Sequence, residues 1–252
     1  MTTIIAVANQ KGGVGKTTTV INLSVALVDL GHRVLMVDLD PQSALSIGTG
    51  VNALALPRTV YDVLIDPDVP VRDVIQSLRP RLDLLPANID LAGAEMELLS
   101  EIGREVILRD RLNELRGEYD YIIIDTPPSL GLLTVNALGA ANGTVIPLQC
   151  EYLAMRGMQQ LLDTIRKVQK KINPNLEIIG ILGTMYDTRT IHAREVLGEV
   201  RAVFGDLVFE PVIKKSIRFA EAPVANMSLI EYAPRHQGAQ AYRQLAKEIA
   251  HA

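Results

Sequence analysis

The chain has 252 residues, 48% of them hydrophobic, with 25 Lys and Arg against 29 Asp and Glu for a formal net charge of −4. That length suits one large α/β domain, long enough to bury a core without staples. A single cysteine, Cys150, excludes a disulfide framework, a four-cysteine zinc site and a self-contained iron–sulfur cluster.

Short β-branched runs alternate with helical patterns along the whole chain, the signature of a doubly wound, mostly parallel sheet with helices on both faces. The first run, at 4–8, leads into Gln10-Lys11-Gly12-Gly13-Val14-Gly15-Lys16-Thr17-Thr18 and a helix over 16–30. A glycine-rich loop between strand and helix is what a phosphate group needs. Backbone N–H groups of Gly12, Gly13, Val14 and Gly15 can turn inward around its oxygens, and the helix start adds the positive end of its dipole. Lys16 would reach the β- and γ-phosphates, Thr17 would ligate Mg²⁺, and Thr18 is placed to touch the α-phosphate. A second run, at 34–37, ends in Asp38-Leu39-Asp40-Pro41-Gln42. Strand alternation puts Asp38 and Asp40 on one side at the carboxyl edge, where ligands of α/β sheets sit, although one of the pair could merely cap the loop. The stretch 50–80 holds Pro57, Pro67, Pro70 and Pro80 and reads as the least regular part, wrapping the surface.

A third run follows at 82–85, then a helix at 103–116. The apolar run 121–124 comes next, with Asp125 at its exit. Behind a phosphate loop, such an acid is placed to hold Mg²⁺ through water. Asn9 and Gln42 are polar groups for the surrounding shell or for capping. The chain closes with a helix at 131–141, strands at 144–148 and 178–182, and helices at 154–171, 191–203 and 237–250. In the last, Tyr242, Leu245, Ala246 and Ile249 fall on one stripe that would seal the helix to the core. No linker interrupts the pattern, so 1–252 reads as one domain. The start, Met1-Thr2-Thr3-Ile4-Ile5, lacks a basic leader, and no apolar run approaches the roughly 18 residues of a membrane span, which predicts a cytoplasmic protein. Charge is uneven: residues 1–126 carry 11 basic and 18 acidic side chains, and residues 127–252 carry 14 and 11. A basic second half can hold an anionic polymer on one face.

The form Lys-Gly-Gly-x-Gly-Lys-Thr, with Lys11 as a second lysine, is the deviant Walker A motif, and here the sequence resembles the ParA/MinD group of P-loop ATPases. The resemblance runs over the whole chain and is strongest to ParA proteins of the Soj type. It is carried by Leu91-Ala92-Gly93-Ala94-Glu95, Pro127 to Thr134, Pro147-Leu148-Gln149-Cys150-Glu151-Tyr152 and Glu221-Ala222-Pro223. It implies an ATP-sandwich homodimer in which Lys11 reaches the partner's phosphates. Asp40 would serve the attacking water, Asp38 would support it near Mg²⁺, and Met185 would lie at the nucleotide. It also implies nonspecific binding of double-stranded DNA, with Arg189 and Arg218 at contact positions and Lys214 and Lys215 beside them, and a ParB-like partner that stimulates hydrolysis. Chromosome or plasmid segregation on the nucleoid is the implied task. The same mechanism moving a protein cargo, or a MinD-like membrane ATPase, are the alternatives. The C-terminal stretch, with one lysine and few bulky apolar residues, argues against stable membrane association. The chain starts directly at the first strand, so the helix-turn-helix extension of many plasmid relatives is not expected. Two departures stand out: Lys214-Lys215-Ser216 where relatives usually carry Pro-Arg-Asn, a segment that helps hold adenine, and Val224-Ala225-Asn226 after Pro223.

Overall fold

The computed structural model describes residues 2–150 and 154–251, apart from the side chains of 154–156. Among them, strands β1 (Thr3–Val7), β2 (Val34–Asp38), β3 (Gln76–Arg79), β4 (Leu82–Leu85), β5 (Tyr121–Asp125), β6 (Gly143–Gln149) and β7 (Glu177–Thr184) form one sheet. Its order is β3-β4-β2-β5-β1-β6-β7. Every pairing is parallel except β3 with β4.

Strands covered on both sides should be apolar at nearly every position, as β1, β2 and β5 are. Ile5 and Val7 of β1, Val34 and Met36 of β2, and Tyr121 and Ile123 of β5 enter one core. Their neighbours Ala6, Leu35, Val37, Ile122 and Ile124 enter the other. Helices α1 (Lys16–Asp29), α2 (Ala44–Gly48), α3 (Val60–Ile65), α4 (Val71–Val74), α5 (Leu91–Glu97) and α6 (Ile107–Leu112) lie in the first half. The second half adds α7 (Leu132–Ala140), α8 (Ala154–Lys171), α9 (Ile191–Phe204), α10 (Arg218–Val224), α11 (Leu229–Tyr232) and α12 (Gln237–His251). Tyr242, Leu245, Ala246 and Ile249 of α12 are all buried, packed with Val20, Leu23 and Leu27 of α1 in the first core, so the expected stripe does seal the final helix.

Two expectations fail. The stretch 50–80 does not merely wrap the surface: it carries α3, α4 and β3 and buries Val60, Val63, Leu64, Val69, Val71 and Val74. Its prolines lie between elements rather than inside them. Pro70 stands at the N-cap of α4, while Thr59 and Asp62 close a capping box on α3. The helix expected over 103–116 shrinks to α6 and one 3₁₀ turn at Asn113–Leu115. Gly103, at φ +72°, sits in a turn ahead of it.

After β1 the chain crosses over β5 to reach β2, whereas β6 lies on β1's other side. Their carboxyl ends therefore diverge and open a crevice at that edge.

Candidate nucleotide site

The loop from β1 to α1 opens onto this crevice. Gly13 and Gly15 hold φ of +73° and +88°, a left-handed conformation that only glycine takes freely, and a Cβ on either would meet open space rather than protein. The loop leads straight into the N-terminus of a 14-residue helix, α1. Lys16 is 7% exposed. Burial pulls its pKa below the usual lysine value, and the charges of Asp125 and Asp40 oppose that pull. Lys11 is fastened from both ends: its backbone N–H donates to Asn9 Oδ1 (2.9 Å) and its Nζ to Gln149 Oε1 (2.8 Å). Asn9 in turn donates to the Pro147 carbonyl at 2.7 Å. The lysine expected to reach toward a second subunit is thus held here by its own chain, from the exit of β6.

Asp38 and Asp125 are register partners on adjacent parallel strands, both fully buried, and Asp40 is 9% exposed just beyond. Burial pushes Asp38 up to about 6, held from rising further by hydrogen bonds from the Ser46 hydroxyl and backbone and from Asp40 N–H. Those bonds occupy both oxygens: Oδ1 takes Asp40 N–H at 3.2 Å, and Oδ2 takes Ser46 N–H at 2.9 Å and its hydroxyl at 2.7 Å. Burial, then the neighbouring Asp38, push Asp125 to about 8. Thr17 donates its hydroxyl to Asp125 Oδ2 at 2.6 Å, while Oδ1 is buried with no partner among the described residues. A buried carboxylate oxygen without a donor, beside a hydroxyl that can ligate, fits a divalent cation. No cage of three or more His, Cys, Asp or Glu occurs among the described residues. The donor set suits Mg²⁺, which takes one or two protein oxygens and completes its shell with phosphates and water. Asp40 Oδ1 accepts from Gln42 N–H at 2.9 Å, so Gln42 serves the acid's orientation.

Beyond the loop lies a cleft of about 310 Å³ lined by Val14, Thr18, Met185, Ser216, Phe219 and Tyr242, among others. Met185, at φ +51°, is bent into the left-handed region at the exit of β7, a strained conformation of the kind that collects at ligand sites. The next residue, Tyr186, bridges to Lys214. Lys214 and Lys215 therefore line this cleft, and Lys214 Nζ donates to Gln237 Oε1 at 3.1 Å. Arg189 stands outside it, its side chain 84% exposed, gripping Asp187 with Nε (2.9 Å) and Nη2 (2.7 Å). That grip drives the Asp187 carboxyl far below its ordinary value. Arg218 pairs with Glu221 at 2.8 Å on α10. Of the four basic residues expected to meet DNA, two thus belong equally to the cleft and two are locally ion-paired.

The structure gathers Gly12 to Thr18, Lys11, Asp38, Asp40 and Asp125 at one edge, as the spacing predicts. Sequence reasoning missed Ser46, Gln149 and Thr184, whose hydroxyl donates to the Val14 carbonyl at 2.9 Å. Gln149 and Thr184 are the last residues of β6 and β7. Their position at strand exits was the available signal. Glu151 and Tyr152, which carried part of the resemblance, lie outside the described residues.

Residues 2–178 match a family described as an AAA domain. The chain is 50% identical to the sporulation initiation inhibitor protein Soj of Bacillus subtilis (strain 168), covering 98% of each chain. It is 46% identical to the chromosome partitioning protein ParA of Caulobacter vibrioides (strain NA1000 / CB15N), over 98% of this chain and 93% of that one. Among solved structures it is similar to cobyrinic acid a,c-diamide synthase from Mycobacterium smegmatis with bound ADP and magnesium. The identity there is 45% and the TM-score 0.88, over 99% of this chain and 94% of the other. A second structure of that protein holds an ATP analog and magnesium.

Proposed function

This chain belongs to the ParA/Soj family of P-loop ATPases, and from that premise we propose that it binds ATP with Mg²⁺ at the β1–α1 loop, dimerises around the nucleotide and holds double-stranded DNA without sequence preference until hydrolysis releases it. One observation carries the nucleotide part: Asp125 Oδ1, buried with no partner among the described residues, stands beside Thr17 at a loop where a Cβ on Gly13 or Gly15 would meet nothing within 4 Å. Bound Mg²⁺ would neutralise phosphate charge there. The chain's own groups do the rest. Lys16 sets a buried cation against the terminal phosphates, Asp40 orients the attacking water, and Gln42 fixes Asp40. Positioning and charge dominate phosphoryl transfer, so Asp40 need not be a strong base.

Lys11 supplies the dimer switch in this reading. Its Nζ, bonded to Gln149 Oε1 within its own chain, would exchange that contact for a second subunit's phosphates, which offer a full negative charge. DNA affinity comes from Arg189, Arg218, Lys214 and Lys215, doubled by the dimer. Phosphate contacts alone explain binding without sequence readout. The partner is a ParB-like DNA-bound protein and the place of action the nucleoid. No helix among the described residues is long and apolar enough to cross a membrane.

Light scattering with ATP–Mg²⁺ or ADP–Mg²⁺ tests the switch. The wild type should double in mass with ATP only, and Lys11→Ala should bind nucleotide yet stay monomeric. A Lys11→Ala dimer would remove Lys11 from this role. The synthase name of the M. smegmatis relative supports a second reading, in which turnover would depend on a carboxylic-acid acceptor and ignore DNA.

A further inference from the structure

Past the loop that holds Asp40 lies a second cleft, of about 480 Å³, that the phosphate chemistry does not use. It begins at Pro41, one residue beyond the acid, and its walls come from α2, the turn at 50–54 and the chain leading into α5. Ile47, Leu54 and Ile89 line it and are exposed all the same, Leu54 at 77%. No charged side chain is among the described residues that line it. Three carboxamides are, those of Gln42, Asn52 and Asn226, and none of these side chains makes a hydrogen bond among the described residues. Ser43 and Asn226, also in the wall, hold φ of +55° and +54°, left-handed conformations of the kind that collect at ligand sites.

The apolar surface continues out of the cleft. Leu91, Ala94 and Leu98 turn the segment around α5 into the core. Ile89, Ala92, Met96 and Leu99, spaced three, four and three residues apart, form another row, and all four are exposed, Met96 at 76%. That spacing is one face of a helix, so the row runs roughly 15 Å along its axis. Single exposed apolar residues need no explanation, but a contiguous set marks an interaction site. Asp90, Glu97 and Glu101 are interleaved with this row, exposed, and none enters an ion pair among the described residues. Neither 41–57 nor 82–103 contains a lysine or an arginine.

We propose that this cleft and the exposed face of α5 dock a segment of a different protein, which seats a bulky apolar side chain between Ile47, Leu54 and Ile89 and sets lysine or arginine residues against Asp90, Glu97 and Glu101. A row that outruns the cavity calls for a polypeptide rather than a small molecule, and the unused carboxamides suit the N–H and C=O groups of its backbone. The acids, with no basic residue near them in the chain, call for a cationic segment. A second copy offering the same surface would bring the same acids face to face, which disfavours self-pairing. Neither the phosphate loop nor Arg189, Arg218, Lys214 or Lys215 lines the cleft, so the proposal stands apart from the nucleotide and DNA readings.

The test is fluorescence anisotropy of a labelled amphipathic helical peptide built of leucine and lysine, beside versions with glutamate for lysine or serine for leucine. All are measured on the full chain without nucleotide, so a failure of the nucleotide reading leaves the result intact. The leucine–lysine peptide should bind saturably, and the other two roughly tenfold or more weakly. Leu54→Ser and Ile89→Ser should each weaken that peptide by roughly tenfold, the scale of one buried apolar side chain. Ile191→Ser and Val203→Ser, at exposed positions of α9, should leave it unchanged. All four positions are exposed, so each variant should keep the wild-type melting temperature. No saturable binding of the leucine–lysine peptide overturns the proposal. Equal affinity for the glutamate peptide, or equal losses at the α9 positions, would mean adhesion without a site and overturns it too. So would sedimentation showing that the free chain dimerises and that Ile89→Ser restores the monomer, since the occupant would then be a second copy.

Discussion

The phosphate edge and the basic edge of this molecule are held by opposite means. Around the loop, buried and half-buried polar groups bond one element to another: Thr17 to Asp125, Lys11 to Gln149, Thr184 to Val14, Asp38 to Ser46. Five strand exits converge there, so each of these bonds ties two elements together. The arginines of the basic edge are exposed and tied only to near neighbours, Arg189 to Asp187 and Arg218 to Glu221. Solvent screens exposed pairs of this kind, so an incoming DNA phosphate could displace the acid at small cost. The fold has fixed the polar groups of the loop and left the ion pairs of the basic edge exchangeable, as the proposed reversible binding of DNA would require.

The largest effect falls on Asp40. Asp40→Ala leaves the loop and its lysines in place, so ATP should still bind while turnover falls on the order of 100-fold or more, the usual contribution of a positioned acid–base group. A phosphate-release assay beside a nucleotide-affinity measurement checks it, and rapid turnover would remove Asp40 from its role.

A subtler effect concerns Asp125 without nucleotide. Its pKa rises from 3.8 to about 8 on folding, so the folded chain keeps a proton that the unfolded chain has given up. The stability tied to that proton is present in full below the unfolded value and is lost as pH rises through about 8. Asp125→Asn mimics the protonated acid. The variant should melt above wild type at pH 8.5, with the gap much narrower at pH 5, while losing Mg²⁺-dependent nucleotide binding. Parallel melting curves at the two pH values would contradict the burial argument.

The smallest effect sharpens the other edge. Asp187→Asn frees Arg189 without adding a cation, and duplex-DNA affinity should rise roughly two- to fivefold, the scale of one surface pair. Fluorescence anisotropy at fixed salt reads it, and weaker binding would mean that Asp187 orients Arg189 for DNA.

The difference between the edges also decided what the sequence disclosed. The loop glycines, Lys16, Asp38 and Asp125 follow apolar runs that are unmistakable because both faces of each strand are covered. Strand β3 escaped notice because Gln-Ser-Leu-Arg at an antiparallel edge has no apolar run to show. Helices α3 and α4 were hidden by prolines that read as breakers but stand at or near helix starts. Gln149 and Ser46 were illegible for another reason: topology brings them to Lys11 and Asp38 from distances of 138 and 8 residues, which no local pattern encodes. Cys150, expected in the core, is buried there, its thiol pushed up to about 11.

The central claim is that nucleotide state governs DNA binding through two joined weak faces. Duplex-DNA affinity of the wild type and of Arg189→Glu, measured with ATP–Mg²⁺, ADP–Mg²⁺ and no nucleotide across a salt titration, tests it most directly. The account predicts sequence-independent binding with ATP alone and a steep salt slope, and loss of DNA but not of the dimer in Arg189→Glu. DNA binding that ignores the nucleotide, or an ATP-bound dimer that does not hold DNA, would contradict it.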